Sequence, residues 1–356
     1  MGCCCAKGLK TKQYHGFFDS YPMMTGKIVA ITGCTTGTGR ILAEACAMKG
    51  AKVVLLNRPS ERADAALKAV SQVATDYKAP PPVFIPCDLM SFKSVNEAGG
   101  RMGTEFADSG LDVLCNNAGI MAHRDKATED GCDIQMQVNH TSHFLLTYHC
   151  MPLLEKAASL RGEARIVNHS SAARVMTGKE FFNELDAKYL DKNGGKLGGN
   201  SSKGFKGANF QRYQQTKLAN VVFTYALHDK LKAKGSKVKA LVAHPGVAPT
   251  QLLPGTIKEG GANDMKMPAC AMRIVECMLF QSEEDATIGI LRCTCDPDAQ
   301  SGEFFGPVGK GGATKTHDDK EYKGKVGLLK EEPFAHADAR KLLWETSEKV
   351  TGVKFL

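Results

Sequence analysis

Tyr213 is the one tyrosine of eight with a lysine four residues later, in the stretch YQQTK. Positions i and i+4 share a face of a helix, so Lys217 can bring its ammonium close to the Tyr213 hydroxyl. A positive neighbour stabilises phenolate and draws the tyrosine pKa toward neutrality, which suits a hydroxyl that passes a proton to and from a carbonyl/alcohol pair. A second pattern lies near the N-terminus. TGCTTGTG places Gly33, Gly37 and Gly39 between a β-branched apolar run and a helical pattern. Glycines let the backbone approach a pyrophosphate, and the following helix N-terminus, from Thr36 onward, offers unpaired N–H groups and the positive end of a dipole. That turn is the expected dinucleotide site. The residues after the next strand choose the dinucleotide: an acid there would hold the ribose hydroxyls of NAD, whereas this chain has Asn57 and Arg58. An arginine can pair with a 2′-phosphate, so NADP(H) is the expected cofactor.

These groups need a frame, and the pattern supplies one. KIVAIT, AKVVLLN, VFIPCDL, LDVLCNNAG, ARIVNHSS and KVKALVAHPG read as buried strands. Helical stretches alternate with them: RILAEACAMKG ending at Gly50, one around Ser94 to Phe106, one from about Gly131 to Met151, and one from about Tyr213 to Lys234. Strand and helix alternating over more than half the chain predict an α/β fold, a single-domain, doubly wound parallel sheet of the Rossmann type. The expected organisation is a basic, cysteine-bearing segment at 1–24, the main domain at 25–306, and a Gly/Lys-rich loop with a closing helix at 307–356. Two Gly/Lys-rich stretches, 178–210 and 307–332, interrupt the alternation; the first is long enough to be either functional or disordered.

Composition narrows the class further. The 356 residues carry a formal net charge of +8 with dispersed lysines and no basic run interleaved with aromatics, so nucleic acid is not an expected partner. No apolar run approaches the roughly 20 residues of a membrane-spanning helix. Ten of the 13 cysteines are scattered, mostly through apolar segments, which reads as reduced core thiols of a cytoplasmic protein. Cys293 and Cys295 form a Cys-x-Cys with no second pair nearby, and His140, His143, His149 and His169 lack metal-ligand spacing, so no metal site is expected. The other three cysteines follow Met1 and Gly2 directly. Gly2 is an acceptor for myristoylation and Cys3, Cys4 and Cys5 for palmitoylation, with Lys7, Lys10 and Lys12 adding charge, although Ala6 stands where the pattern prefers Ser or Thr. This predicts a peripheral protein on the cytoplasmic face of a membrane.

Taken in order, TGCTTGTG, CDL, NNAG, Asn139 in QVNH, IVNHSS, YQQTK and HPGVAPTQL resemble the short-chain dehydrogenase/reductase family, especially the retinol dehydrogenases and the oxidoreductase domain of WW-domain oxidoreductase. The likeness runs from about residue 25 to residue 352. It implies that Ser171 hydrogen-bonds the substrate oxygen, with Ser170 a lesser rival, and that Tyr213 exchanges the proton. Lys217 would bind the nicotinamide ribose and tune Tyr213, and Asn139 would hold a water that relays protons. Asp88 would contact the adenine, with Leu89 beside it in the cofactor site, Asn116 and Gly119 would line the cleft, and Pro245, Gly246 and Thr250 would flank the nicotinamide. The implied substrate is a lipophilic carbonyl or alcohol, retinoid-, sterol- or lipid-aldehyde-like. Ser171 and Tyr213 are 42 positions apart, more than in many relatives, which makes the 178–210 stretch an insertion and an expected lid. A light-dependent protochlorophyllide-type reductase and a non-catalytic NADP-binding scaffold are the alternative readings.

Overall fold

Alternate residues of each buried strand feed opposite faces of one sheet. In β1 (Ile28–Thr32), Ile28 and Ala30 join one apolar core while Val29 and Ile31 join the other. The same split recurs in β2 (Lys52–Asn57) and in β6 (Val238–Ala243), with β3 (Val83–Pro86), β4 (Val113–Asn116) and β5 (Ala164–His169) between them in sequence. In the computed structural model, which describes residues 9, 11, 17–175, 184–201, 207–246, 282–307, 326–329 and 335–356, the strand order is β3-β2-β1-β4-β5-β6-β7-β8. Strands β1 to β6 and β7 (Phe304–Pro307) are parallel, and β8 (Val326–Leu329) closes the edge antiparallel to β7. This is the doubly wound parallel sheet expected from the alternation, with an antiparallel edge strand that the alternation did not announce.

The helices in chain order are α1 (Phe17–Ser20), α2 (Gly37–Met48), α3 (Glu61–Asp76), α4 (Phe92–Glu105), α5 (Ile134–Met136), α6 (Ser142–Arg161), α7 (Ala187–Leu190), α8 (Ala208–Ala233), α9 (Glu283–Cys295) and α10 (Ala337–Thr351). Helices α2 and α9 pack on one face, α4, α6 and α8 on the other, and α10 lies against α8. The strand order reverses between β1 and β4, so the crevice for a ligand opens beyond the carboxyl ends of these strands.

Three boundaries differ from the sequence reading. Phe18, Tyr21 and Met24 are buried in the same core as α2, so the packed domain begins before residue 25. The helix expected to end at Met151 runs through Pro152 to Arg161 and stops at Gly162, whose φ of 92° closes it. Helix α8 starts at Ala208, so the end of the 178–210 stretch is helical. Gly2, Cys3, Cys4 and Cys5 lie outside the described residues.

Candidate active site

The glycine turn joins β1 to α2, and each glycine meets a separate steric demand. Gly33 has φ 73°, and a Cβ there would stand 2.8 Å from the Ala118 Cα. At Gly39 a Cβ would stand 2.3 Å from both the Asn117 Nδ2 and the Gly33 carbonyl oxygen. Gly37, with φ 60°, opens α2, whose N-cap Thr36 makes no side-chain capping bond, so the first N–H groups of the helix are left without that partner. Asn57 is buried at the end of β2; its Oδ1 accepts from the Cys34 N–H at 2.7 Å while its Nδ2 has no partner. A cradle with no side chains, an uncapped helix start and an orphaned amide donor fit a dinucleotide's phosphates and ribose. Arg58 is exposed beside them.

Opposite the turn, Ser171 follows β5, and Tyr213 and Lys217 lie on the buried side of α8. Ser171 hydrogen-bonds Tyr213 side chain to side chain. The Lys217 ammonium donates to the His169 carbonyl at 3.0 Å and sits 5.8 Å from the centre of the Tyr213 ring. Asn139 occupies a π-helical turn, Gln137–Thr141, of the kind that re-aims side chains at functional sites. Its Oδ1 accepts from the Ile120 N–H at 2.8 Å, and its Nδ2 donates to the Ile120 carbonyl and the Thr216 hydroxyl. A Cβ at Gly119 would stand 3.2 Å from the Lys217 Nζ and 3.3 Å from the Asn139 Oδ1, so these three residues converge on one point. Met121, Ala122, Ala173 and Phe210 pack with Tyr213 as a separate apolar cluster. One expectation is reversed here. Burial raises the Tyr213 pKa to about 12, with only the Ser171 hydrogen bond opposing it, and desolvation lowers that of Lys217 to about 8.

The other expected residues separate into two groups. Gly246, at φ 71°, follows His244 and Pro245 beyond β6, next to the Ser171 strand. Thr250 lies outside the described residues. Asn116, by contrast, turns its side chain into the interior at the end of the central strand β4, where its Nδ2 donates to Asn168 of β5 at 2.9 Å and to Thr147 of α6 at 3.2 Å. Asp88 accepts from the Met90 N–H, and the Leu89 carbonyl accepts from Ser142, so both shape the bend after β3. The Ser170 hydroxyl donates to the Lys217 carbonyl at 2.7 Å and is fully buried.

Asn117, which the sequence reading passed over, connects the two halves of the site. Its Nδ2 donates to the Thr32 carbonyl, and its Oδ1 accepts from Thr38 at 3.2 Å and from His169 at 2.9 Å. Thr32 accepts from the N–H groups of Asn117 and Ala118 and donates to His143 Nε2, leaving His143 Nδ1 to donate to the Asn139 carbonyl. The doubled asparagine of NNAG was the available signal. His140 and His149 are held by Ser347 and Asn96. Among the described residues no group of three or more His, Cys, Asp or Glu could hold a metal.

The profile of the short chain dehydrogenase family matches residues 27–183. An uncharacterised oxidoreductase of Schizosaccharomyces pombe is 30% identical over 278 residues, covering 77% of this chain and 72% of that protein. Human retinol dehydrogenase 13 is 35% identical over 240 residues, covering 67% of this chain and 63% of its own length. The crystal structure of an uncharacterised protein from Mycobacterium paratuberculosis superposes with a TM-score of 0.66 at 25% identity, over 95% of this chain and 98% of that one.

Proposed function

Because the chain belongs to the short-chain dehydrogenase/reductase family of oxidoreductases, we propose that it interconverts a carbonyl and an alcohol on a lipophilic substrate, with NADP(H) as hydride carrier. The observation that carries this reading is the meeting of Ser171, Tyr213, Lys217 and Asn139 across the crevice from the glycine turn. Thr36, Gly37 and Gly39 would hold the pyrophosphate, Asn57 and Arg58 the 2′-phosphorylated ribose, and Lys217 the nicotinamide ribose. The cofactor supplies or takes the hydride.

The protein groups divide the remaining work. Ser171 donates to the substrate oxygen and aligns it with Tyr213. Tyr213 gives its proton to that oxygen as a carbonyl is reduced and takes it back in the reverse direction. Lys217 places positive charge beside the phenolate so formed, and the Asn139 turn holds Lys217 and Ile120 in register. Met121, Ala122, Ala173 and Phe210 give the substrate side an apolar lining, which supports a lipophilic substrate such as the one in the name of retinol dehydrogenase 13. No helix among the described residues is long and apolar enough to cross a membrane. Acylation at Gly2 and Cys3 to Cys5 would instead hold the enzyme on the cytoplasmic surface. Mass spectrometry of the N-terminal peptide from a eukaryotic host tests this: an acyl adduct is expected, and an unmodified Gly2 with free thiols rejects it.

The chemistry is tested with NADPH and a panel of apolar aldehydes in the dark. Tyr213→Phe is expected to lower kcat by about 100-fold or more while leaving NADPH binding intact. Equal turnover by the variant would remove Tyr213 from the reaction, and turnover that requires illumination would favour the light-dependent alternative.

A further inference from the structure

Arg212 immediately precedes Tyr213 on α8, and its side chain is completely buried. A buried guanidinium has five N–H donors to satisfy and a charge to neutralise. Its Nη1 donates to the carbonyls of Leu197 at 3.2 Å and Gly199 at 2.9 Å, and its Nη2 to that of His123 at 3.1 Å. Two carboxylates balance the charge: Asp133 Oδ2 is 3.4 Å from Nε, and Asp125 Oδ2 is 3.8 Å from Nη1. Leu197 and Gly199 belong to the stretch inserted between Ser171 and Tyr213, while His123 and Asp125 belong to the loop that follows β4. The two segments also grip each other, since Asp125 accepts from the Gly199 N–H at 2.8 Å and donates its own N–H to Asn200 at 2.7 Å.

Gln215 repeats the arrangement three residues further along α8. It accepts from the Asp186 N–H and donates to the Glu184 carbonyl, each at 2.9 Å. Gly194 donates to the Gly131 carbonyl at 2.9 Å, and Gly195, with φ 78°, lies so close to Ala127 that a Cβ would stand 3.1 Å from its nitrogen. Residues 184–201 are therefore fastened at several points rather than laid loosely over the site. The Met121–Ala122 side of the Tyr213 cluster leads directly into the His123 and Asp125 that Arg212 holds.

We propose that Arg212 is a positioning residue that fixes the inserted segment as a stationary wall of the substrate entrance and so sets which lipophilic substrates reach Tyr213. This rests on the carbonyl/alcohol reading above. The planar fork reaches carbonyls of two segments at once, which a lysine ammonium on a flexible stem does not reproduce. Arg212→Lys thus keeps the charge and loosens the wall.

Full-length wild type and Arg212→Lys are compared with hexanal and tetradecanal as substrates, and by trypsin cleavage after the exposed Lys192 and Lys196. The variant is expected to show a KM for tetradecanal raised about tenfold, kcat on hexanal within about twofold of wild type, and cleavage about tenfold faster. An unchanged tetradecanal KM, a proportional loss on both aldehydes, or unchanged cleavage overturns the proposal. If wild type reduces neither aldehyde, the catalytic reading falls and takes the substrate role of Arg212 with it, while the cleavage rates still decide whether Arg212 holds the segment. Should Arg212→Lys not fold, Asp125→Asn removes one of the two balancing charges and is expected to shift the same two readouts in the same directions.

Discussion

Burial sets the protonation of the two groups proposed to handle the proton. Tyr213 and Lys217 share a helix face as their spacing requires, yet the lysine does not bring the tyrosine down: desolvation takes Tyr213 to about 12 and Lys217 to about 8. Sequence spacing gives adjacency, whereas the sign of a pKa shift depends on how much water is removed, which only the fold reveals. For aldehyde reduction the neutral tyrosine is the required donor across the working range, so the titrating group is Lys217. The kcat/KM for reduction is expected to fall as pH rises through about 8, as the lysine loses the charge that supports a phenolate. A pH–rate profile measured at saturating NADPH checks this, and a flat profile from about pH 7 to about pH 9 removes Lys217 from that role. Residue-scale reading erred in the same way at Asn116. The motif placed it at the cleft, but strand alternation turns it beneath the sheet and leaves Asn117 to cross between the glycine turn and His169.

At the scale of elements, the strands and the glycine turn were legible because their causes are local. Buried parallel strands need continuous apolar runs, and a turn at positive φ needs glycine. The π-helical turn at Gln137–Thr141 was not legible, because one extra residue per turn leaves no mark on a short hydrophobic pattern. The helix expected to end at Met151 continues past Pro152, because the apolar residues Leu153, Leu154, Ala157 and Ala158 run on into the core and carry the helix through it. The inserted segment showed only as Gly, Lys, Ser and Asn, which is equally the composition of a loose loop. Much of its fastening is side chains such as Arg212 and Gln215 meeting backbone groups, and such partners carry no side-chain signature in a sequence.

The whole molecule carries several buried imidazoles, and these bind its stability to pH. His140 and His169 are lowered to about 3 and His143 to about 4, chiefly by desolvation, from an ordinary value of 6.5. A group whose folded pKa is depressed gives stability that is complete above the unfolded value and is lost as pH falls toward the folded one. At about pH 5 each of the three costs about 2 kcal/mol, because the unfolded chain takes up a proton that the folded chain refuses. Asp133, raised to about 6 mainly by burial, acts in the opposite sense and returns about 1 kcal/mol over the same interval. The net loss of several kcal/mol is comparable with the total stability of a typical domain. A marked drop in Tm is therefore expected between about pH 7 and about pH 5, and a Tm unchanged over that interval would contradict the buried, neutral state of these rings.

The thiols respond to a different reagent. Cys34, Cys46, Cys87, Cys115, Cys132, Cys150, Cys293 and Cys295 are all unpaired and buried, and burial raises the pKa of each. Alkylation requires the thiolate and access to it, so none of these eight reacts while its surroundings are packed. The molecule thus contains its own opening clock: in a pulse of alkylating agent, the mass added at each of these positions records how often that part of the interior meets solvent.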